Sequence, residues 1–208
     1  MSEKSNNPDR PSVAVIGGGI CGLGIGWRLA AAGCQVDIFD KGEAGREASW
    51  AAAGMLAAHV ETEPGEEALL ALNLESQAAW PAFAEELAAV SGVDVGYRDE
   101  GTLVVAAHRD DVAELRNTYE FQRSLGLEID WLTGGQARRM EPHLAPGVSG
   151  AVFSRKDHQV DNRQLVPALR AAYLAAGGAL HEHMPVDAVE TGGNRVRGVV
   201  VDGRLHEA

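Results

Sequence analysis

The sequence predicts an α/β fold built on a parallel sheet. Two short strand-like segments, Ser12 to Ile16 and Gln35 to Phe39, flank an apolar stretch that is long enough for a helix. A strand, a helix and a second strand in this order form a right-handed crossover in nearly every known case, so we expect the two strands to be parallel. The chain has 208 residues, 45% of them hydrophobic, and is long enough to bury a core.

The first helix is predicted from about Ile20 to Ala32, because the apolar stretch ends at Gly33, a residue suited to a helix C-cap. The next segment, Lys41 to Glu63, is rich in Ala, Gly and Glu and offers no β-branched run for a third strand. Apolar residues at helical spacing then predict an amphipathic helix from Gly65 to Val90. Pro81 should kink this helix or divide it into two.

The second half of the chain alternates short strands and helices. A strand is predicted at Gly101 to Ala107 and a helix at Asp110 to Leu125, where Asp111 and Glu114 have the spacing of a capping box. The further predicted elements are a strand at 151–154, a helix at 162–176 and strands at 179–182, 185–190 and 195–201.

Charge and cysteine content exclude several classes of protein. The 18 basic and 30 acidic residues give a net charge of −12 without a Lys/Arg cluster, which argues against nucleic acid or anionic lipid as a partner. The uncharged segment from Pro11 to Trp27 is too short and too rich in glycine for a membrane span. Two cysteines are too few for a disulfide scaffold and suit a reducing compartment, so we expect a cytoplasmic protein.

The strongest chemical motif is a glycine loop between the first strand and the first helix. Gly17, Gly19 and Gly22 form a GxGxxG pattern, in which the glycines allow a tight turn, backbone approach to a pyrophosphate and close helix packing. The positive end of the following helix favours phosphate at this place. Asp40 follows the second strand about twenty residues on, where a carboxylate can accept hydrogen bonds from an adenosine ribose. We therefore predict a dinucleotide site and disfavour a purely structural turn.

The loop alone does not distinguish FAD from NAD, since both contain an adenosine ribose and a pyrophosphate. An NAD domain normally continues with alternating strands and helices, whereas an Ala/Gly-rich segment follows the second strand here. Small side chains from Ala48 to Met55 would let backbone amides approach a bulky ring, although a small-residue helix would have the same composition. The pattern favours FAD.

The sequence also resembles the glycine oxidase family of FAD-dependent amine oxidases, thiamine-pathway enzymes related to D-amino-acid oxidase and sarcosine oxidase. The resemblance spans residues 11–201 and lies in AVIGGGICGLGIGWRLA, FDKG, GREASWAAAGMLAAHVE, SGVDVGYRDEGTLVVA, EPHLAPGVSGAVFSRKDHQVDNRQLVPAL and HEHMPVDAVE. It implies a Rossmann-like FAD-binding domain with a parallel sheet, plus part of an α+β substrate domain. The implied division is a flexible tail at 1–10, a discontinuous FAD-binding domain at 11–92 and 149–208, and the first part of the substrate domain at 93–148.

The resemblance further implies contacts with noncovalently bound FAD. The matching positions are Gly17, Gly19, Ile20, Cys21 and Gly22 in the phosphate turn, Asp40 and Lys41 near the ribose, Ala48 and Ser49 on the pyrophosphate side, Ala53, Gly54 and Met55 against the flavin ring, and Val186 at the adenine. Met55 and Glu61 match positions at the family's substrate pocket, although Glu61 is equally well interpreted as one of a solvated acidic run. Cys21 belongs to the phosphate turn, far from the ring, which argues against a covalent flavin.

The implied reaction is the oxidative deamination of glycine or a related small amine or amino acid. A hydride leaves the α-carbon for the flavin, water hydrolyses the imine, and O2 reoxidises the flavin with formation of H2O2. The expected partners are therefore a small amine or amino-acid substrate and O2, while the sequence leaves the oligomeric state open, a homo-oligomer included. The family's substrate arginine and tyrosine lie in its C-terminal half, so the resemblance implies the N-terminal part of a longer enzyme and assigns no catalytic residue here.

Other interpretations stay open at this point. The chain could be a noncatalytic dinucleotide-binding fragment, a D-amino-acid dehydrogenase that passes electrons to a quinone, or an NAD-dependent dehydrogenase. Four histidines could in principle ligate a metal, namely His143, His158, His181 and His183. Nothing in their spacing defines a site, so we predict no metal.

Overall fold

The structure is a computed structural model that describes residues 10–208, so the predicted tail lies almost entirely outside the described residues. The elements, in chain order, are β1 (Ser12–Ile16), α1 (Ile20–Ala31), β2 (Gln35–Phe39), α2 (Ala48–Ala51), β3 (Met55–Leu56), α3 (Glu67–Ser91), β4 (Thr102–Ala106), α4 (Asp111–Ser124), β5 (Ile129–Thr133), α5 (Gly134–Met140), β6 (Gly150–Ser154), β7 (His158–Gln159), α6 (Asn162–Ala175), β8 (Ala179–His181), β9 (Ala188–Gly192), β10 (Arg195–Val201) and β11 (Arg204–Glu207). Among the described residues, a first compact unit comprises 10–53, 85–95 and 161–208, and a second comprises 54–84 and 96–160.

A parallel sheet is the centre of the first unit. Strand β2 lies between β1 and β8, with Val13 opposite Val36 and Ile38 opposite Leu180. This arrangement confirms the predicted α/β class with its parallel sheet, and β1 and β2 have the predicted bounds. The third strand, β8, comes from a distant part of the chain.

Helices α1 and α6 pack against each other in the first unit. A Cβ at Gly26 would come within 2.7 Å of Ile38 and 3.2 Å of Tyr173, so glycine permits the close approach of α1. The Tyr173 hydroxyl lies 2.8 Å from the carbonyl oxygens of both Val36 and Ala179, which ties α6 to the sheet. Burial raises the pKa of Tyr173 well above its ordinary value, with a further contribution from Asp37, so the hydroxyl remains a donor.

Three antiparallel strands, with β10 between β9 and β11, complete the first unit. Val199 and Val201 of β10 form a buried cluster with Phe39, and Val186 packs against it. Strand β11 was not predicted, because its four residues are mostly exposed and show no hydrophobic alternation.

The second unit is built around an antiparallel sheet in which β6 lies between β4 and β5. All five residues of β6 are buried. Ala57, Val60, Ile129 and Val152 form a core cluster, against which partly buried side chains of α4 and the sheet pack. The two-residue strands β3 and β7 form a separate antiparallel pair.

Helix α3 is one continuous element of 25 residues with Pro81 inside it, so a division into two helices is wrong. Pro81 is exposed, and water can therefore satisfy the Gln77 carbonyl that the proline ring leaves without a donor. Within residues 10–208, no helix is both long enough and apolar enough to cross a bilayer.

The predicted capping box at the start of α4 is also wrong. The Asp111 carboxylate accepts from the backbone N–H of His108 at 2.8 Å instead. A capping box occurs at α5, where the side chains of Thr133 and Gln136 each accept from the other residue's backbone N–H. Sequence analysis missed β5 and α5, because β5 is short and α5 begins with two glycines, which disfavour helices.

The two units differ from the predicted domains in three segments. Residues 54–84 and 149–160 lie in the second unit, and residues 93–95 lie in the first. The pairing of β6 with β4 and of β7 with β3 explains why 149–160 belongs to the second unit. The assignment of FAD-binding and substrate roles to these units stays a prediction.

Candidate functional site

The glycine loop forms a tight turn between β1 and α1. Gly17 has a φ of +101°, which a residue with a side chain rarely adopts, and its N–H donates to the carbonyl of Phe39 at 2.8 Å. A Cβ at Gly22 would lie 1.9 Å from the carbonyl oxygen of Gly17, and a Cβ at Gly19 would lie 3.1 Å from Ser49 Oγ. The start of α1 therefore has no room for a side chain at Gly22 and little room for one at Gly19.

The N-terminus of α1 is suited to bind an anion. Gly19 is the N-cap and has no side chain to accept from the first N–H groups, and the first turn contains no acidic residue. Ile20 and Cys21 are exposed, and the N–H of Ile20 donates to Ser49 Oγ at 3.1 Å. The positive end of a twelve-residue helix therefore meets solvent beside a hydroxyl group.

Asp40 stabilises the glycine loop through its carboxylate. One carboxylate oxygen accepts from the N–H of Gly18 at 2.7 Å, and the other accepts from the N–H of Gly42 at 2.8 Å. Sequence analysis assigned Asp40 to a ribose and missed this structural role. The ionised carboxylate has further acceptor positions, so the ribose contact stays compatible with the geometry.

Lys41 extends into solvent next to Asp40. Its Nζ lies 3.0 Å from a carboxylate oxygen of Glu47, with both side chains exposed. The hydrogen bond with Glu47 raises the pKa of Lys41. The structure thus shows Lys41 in a surface ion pair, and its predicted role near the ribose stays a prediction.

The short helix α2 holds Ser49 in place beside α1. Ser49 is buried, and its carbonyl accepts from Asn162 Nδ2 at 2.7 Å. The same nitrogen donates to the carbonyl of Trp50 at 3.1 Å. Sequence analysis assigned Ala48 and Ser49 to the pyrophosphate but missed Asn162. The one available signal was that this asparagine lies at the predicted start of a helix.

Glu182 supports the loop after β2. It accepts from the N–H of Ala44 at 2.9 Å and forms a bidentate pair with Arg170. Burial acts to raise its pKa, but these hydrogen bonds outweigh burial, and the pKa of Glu182 lies below its ordinary value. The neighbouring His181 contacts the sheet, since its Nε2 lies 2.8 Å from Asp37 Oδ1.

Within residues 10–208, no group of three or more His, Cys, Asp or Glu side chains is arranged to hold a metal.

The remaining predicted cofactor residues lie further along the chain. Ala53 ends the first segment of the first unit, whereas Gly54 and Met55 begin the second unit. Gly54 has a φ of +78°, and its carbonyl accepts from the N–H of Val160. Met55 lies in β3 and is exposed, and Val186 packs against the Phe39 cluster of the first unit. The flavin and adenine contacts predicted for these residues stay predictions.

Glu61 lines a cavity of about 310 Å³ in the second unit. Its carboxylate is exposed, and the lining also includes Glu66, Asn73, Ser76 and Trp80. Among the described residues, no arginine or lysine lines this cavity. The cavity therefore has a mixed lining, in which the carboxylates of Glu61 and Glu66 stand beside polar side chains and apolar ones such as Leu56 and Leu69.

A buried carboxylate that sequence analysis missed holds the segment between Met55 and Glu61. Asp157 is fully buried and accepts from the backbone N–H groups of His59 and Val60 at 2.9 and 2.8 Å. The Gln77 side chain donates to it at 2.7 Å, and His59 Nδ1 lies 3.1 Å away. Burial acts to raise its pKa, but the hydrogen bonds, with His59 first, keep the pKa of Asp157 below its ordinary value.

The phosphate turn has the properties that a dinucleotide requires. The position of Gly22 excludes a side chain, a Cβ at Gly19 would crowd Ser49, the helix end offers N–H groups, and Asp40 lies at the end of β2. These three observations fit the pyrophosphate and adenosine ribose of a cofactor such as FAD.

Comparisons with known proteins agree with this geometry. Residues 12–208 match the family model DAO, described as FAD dependent oxidoreductase. Glycine oxidase of Geobacillus kaustophilus (strain HTA426) is 40% identical over 178 residues, which are 85% of this chain and 47% of that protein. The chain thus spans about half the length of the curated relatives it matches.

Solved structures show the same relationship. The crystal structure of glycine oxidase from Geobacillus kaustophilus is similar with a TM-score of 0.83 and 39% identity, covering 93% of this chain and 51% of that one. Glycine oxidase from Bacillus cereus ATCC 14579 has a TM-score of 0.84 and 31% identity, covering 96% of this chain and 53% of that one. The resemblance predicted from the sequence is confirmed, and the chain belongs to the DAO family of FAD dependent oxidoreductases.

Proposed function

We propose that the protein containing this chain is an FAD-dependent oxidase that deaminates glycine or a related small amine. The overall reaction consumes glycine, O2 and water and yields glyoxylate, ammonia and H2O2, which balances atoms and electrons. As part of the same proposal, the reaction serves thiamine biosynthesis. The support for that role is the resemblance to thiamine-pathway glycine oxidases.

The observation that supports this proposal most strongly is the phosphate turn. Bare glycine backbone, an open helix end and a braced Asp40 lie together in the first unit, in the order typical of a dinucleotide fold. The similarity to glycine oxidases selects the reaction class within the family.

In this proposal, the residues of the first unit bind and orient the cofactor. The N–H groups at the start of α1 donate to the pyrophosphate, while the remaining acceptor positions of Asp40 receive the ribose hydroxyl hydrogens. FAD, when bound, supplies the redox chemistry by accepting a hydride from the substrate carbon. The protein contributes position and electrostatics.

Residues of the second unit are proposed to serve the substrate. Met55 would lie against the flavin and form part of the wall of the substrate pocket, as the resemblance implies. Glu61 would attract the amino group of the substrate, since it lines a cavity together with a second carboxylate, that of Glu66. Asp157 would keep the intervening segment in place through His59 and Val60.

The test uses protein expressed from the complete reading frame that contains these residues. Purified protein should be yellow, and its flavin absorbance should bleach when glycine or sarcosine is added without oxygen. Readmitting oxygen should restore the colour and release H2O2. A folded, colourless protein that takes up no FAD would contradict the proposal, and bleaching without oxygen consumption would indicate a dehydrogenase that uses another electron acceptor.

A noncatalytic dinucleotide-binding role for the chain by itself is the second candidate. It is favoured by the cavity lining, where none of the described residues is a cation that could pair with an amino-acid carboxylate. In this case the 208-residue chain would bind FAD without producing peroxide from glycine. Peroxide formation by the 208-residue chain would refute this candidate.

A further inference from the structure

We propose that Asn162 is a positioning residue for the cofactor pyrophosphate, acting through Ser49. Its side-chain amide holds the carbonyl end of α2, and α2 in turn presents the Ser49 hydroxyl to the first N–H of α1. The inference rests on the proposed FAD function and adds to it a residue outside the glycine loop.

The contact between Asn162 and α2 is a side-chain cap. Helix α2 has only four residues, so the carbonyl groups of Ser49 and Trp50 lie in its last turn and lack partners within the helix. Asn162 Nδ2 lies 2.7 Å from the first carbonyl oxygen and 3.1 Å from the second. A primary amide has two N–H donors on one nitrogen, which suits two adjacent acceptors.

Ser49 links this cap to the phosphate turn. Its hydroxyl oxygen accepts from the N–H of Ile20 at 3.1 Å, and its side chain is buried. A hydroxyl that accepts one hydrogen bond still has its own proton to donate. At the positive end of α1, that proton can be donated to a pyrophosphate oxygen, so a shift of α2 would remove a donor from the anion site.

Helix α6 does not need the Asn162 side chain for its own start. The N-cap of α6 is Asp161, whose carboxylate accepts from the N–H of Arg163 at 2.9 Å. The guanidinium groups of Arg163 and Arg46 also lie 4.7 and 4.2 Å from the centre of the Trp50 ring. Loss of the Asn162 amide should therefore loosen α2 locally while α6 and the sheet remain folded.

The experiment compares N162A and N162D with the control Q164E, in cofactor-free protein from the complete reading frame. N162A removes the donors, and N162D replaces them with a carboxylate that faces two carbonyl oxygens. Q164E makes the same amide-to-acid exchange at an exposed position two residues further along α6. FAD, ADP and adenosine are titrated separately, and the melting temperature of each variant is measured.

We expect N162A to weaken FAD and ADP binding about three- to tenfold, the loss that corresponds to one net hydrogen bond. N162D should weaken both about ten- to a hundredfold, because it adds repulsion and negative charge near the anion site. Adenosine, which has no phosphate, should bind all variants equally. Q164E should bind all three ligands as the wild type does.

Each outcome decides a different point. A wild-type protein that binds no FAD contradicts both the proposed function and this inference. Wild-type FAD affinity in N162A and N162D would overturn the inference alone. An equal loss for ADP and adenosine would overturn it too, because it would indicate a general structural defect. If N162D does not fold, N162A gives the answer.

Discussion

Two aspartates, Asp40 in the first unit and Asp157 in the second, each bind two backbone N–H groups, yet their surroundings differ. Asp40 is partly buried and holds Gly18 and Gly42 at 2.7 and 2.8 Å. Asp157 is fully buried and receives two further contacts, from the side chains of His59 and Gln77.

The difference shows how one interaction serves two purposes. At Asp40 the carboxylate shapes a glycine turn and leaves the neighbouring helix end open to an anion. At Asp157 the carboxylate is surrounded by donors, so it fixes the segment that follows Met55. The first unit thus contains the turn at which we propose that a ligand binds, whereas in the second unit Asp157 is held by contacts with His59, Val60 and Gln77.

The largest effect is expected for G22A, which tests whether the phosphate turn needs bare backbone. The new Cβ would lie 1.9 Å from the Gly17 carbonyl oxygen, so the turn or the helix must shift. We expect FAD affinity to fall more than a hundredfold and stability to fall by about 2–4 kcal/mol. Flavin titration and thermal melting measure both quantities.

The matched control is G24A, two residues further along α1. Apart from the adjoining backbone of α1 itself, a Cβ at Gly24 would have no atom within 4 Å. This substitution should leave FAD affinity unchanged and stabilise the helix by up to about 1 kcal/mol. Equal behaviour of the two variants would refute a special role for the turn.

The next largest effect is expected for D157N, which tests whether Asp157 stabilises the segment between Met55 and Glu61. An amide places an NH2 group against donors, leaving at least one backbone N–H of His59 or Val60 without an acceptor. Stability should fall by about 3 kcal/mol in urea unfolding. D130N, at an exposed position of β5, should change it by less than about 0.5 kcal/mol. Similar values for both variants would show that the buried network does not stabilise the protein.

The pH dependence of the same variant tests the charge of Asp157. Its pKa in the folded protein lies below the ordinary value, so the stabilisation is present above about pH 5 and is lost as pH falls through the folded pKa. The stability difference between wild type and D157N should therefore narrow progressively as pH falls from 6 to 3. A constant difference would mean that ionised Asp157 is not what stabilises the segment. His59 faces the same carboxylate, so H59N is measured in parallel.

The smallest effect is expected for E61Q, which tests whether the cavity that Glu61 lines receives the amine substrate. Removal of the negative charge should raise KM for glycine about three- to tenfold and leave kcat nearly unchanged. The control E63Q removes a charge from a neighbouring exposed residue outside the cavity lining. If both variants raise KM equally, general surface charge and not the cavity attracts the substrate.

Local chemistry made the first unit largely predictable. The strand bounds at β1 and β2 and the helix start at Ile20 follow from hydrophobic periodicity and glycine placement, and all three agree with the structure. The elements that were missed, β3, β5, α5, β7 and β11, are short and carry weak patterns, so their neighbours decide their conformation. At Pro81 the predicted division into two helices is wrong, because the exposure of the proline to water lets α3 continue past it.

The candidate site was predictable only in its sequence-local part. The glycines and Asp40 are recognised from spacing, because a turn and the next strand end are separated by a set number of residues. Asn162 and Ser49 are 113 residues apart, and Asp157 and His59 are 98 residues apart. No periodicity relates residues at such distances, so their pairing could not be derived from the chain.

The α/β class, the parallel start of the sheet and the place of the dinucleotide turn can be predicted from the sequence, because each depends on residues close together in the chain. The side chains that support that turn and the identity of the buried carboxylate become visible only in the folded protein. Folding brings Asn162 to α2 and Asp157 to His59, and hydrogen bonding then requires each buried polar group to find a partner there.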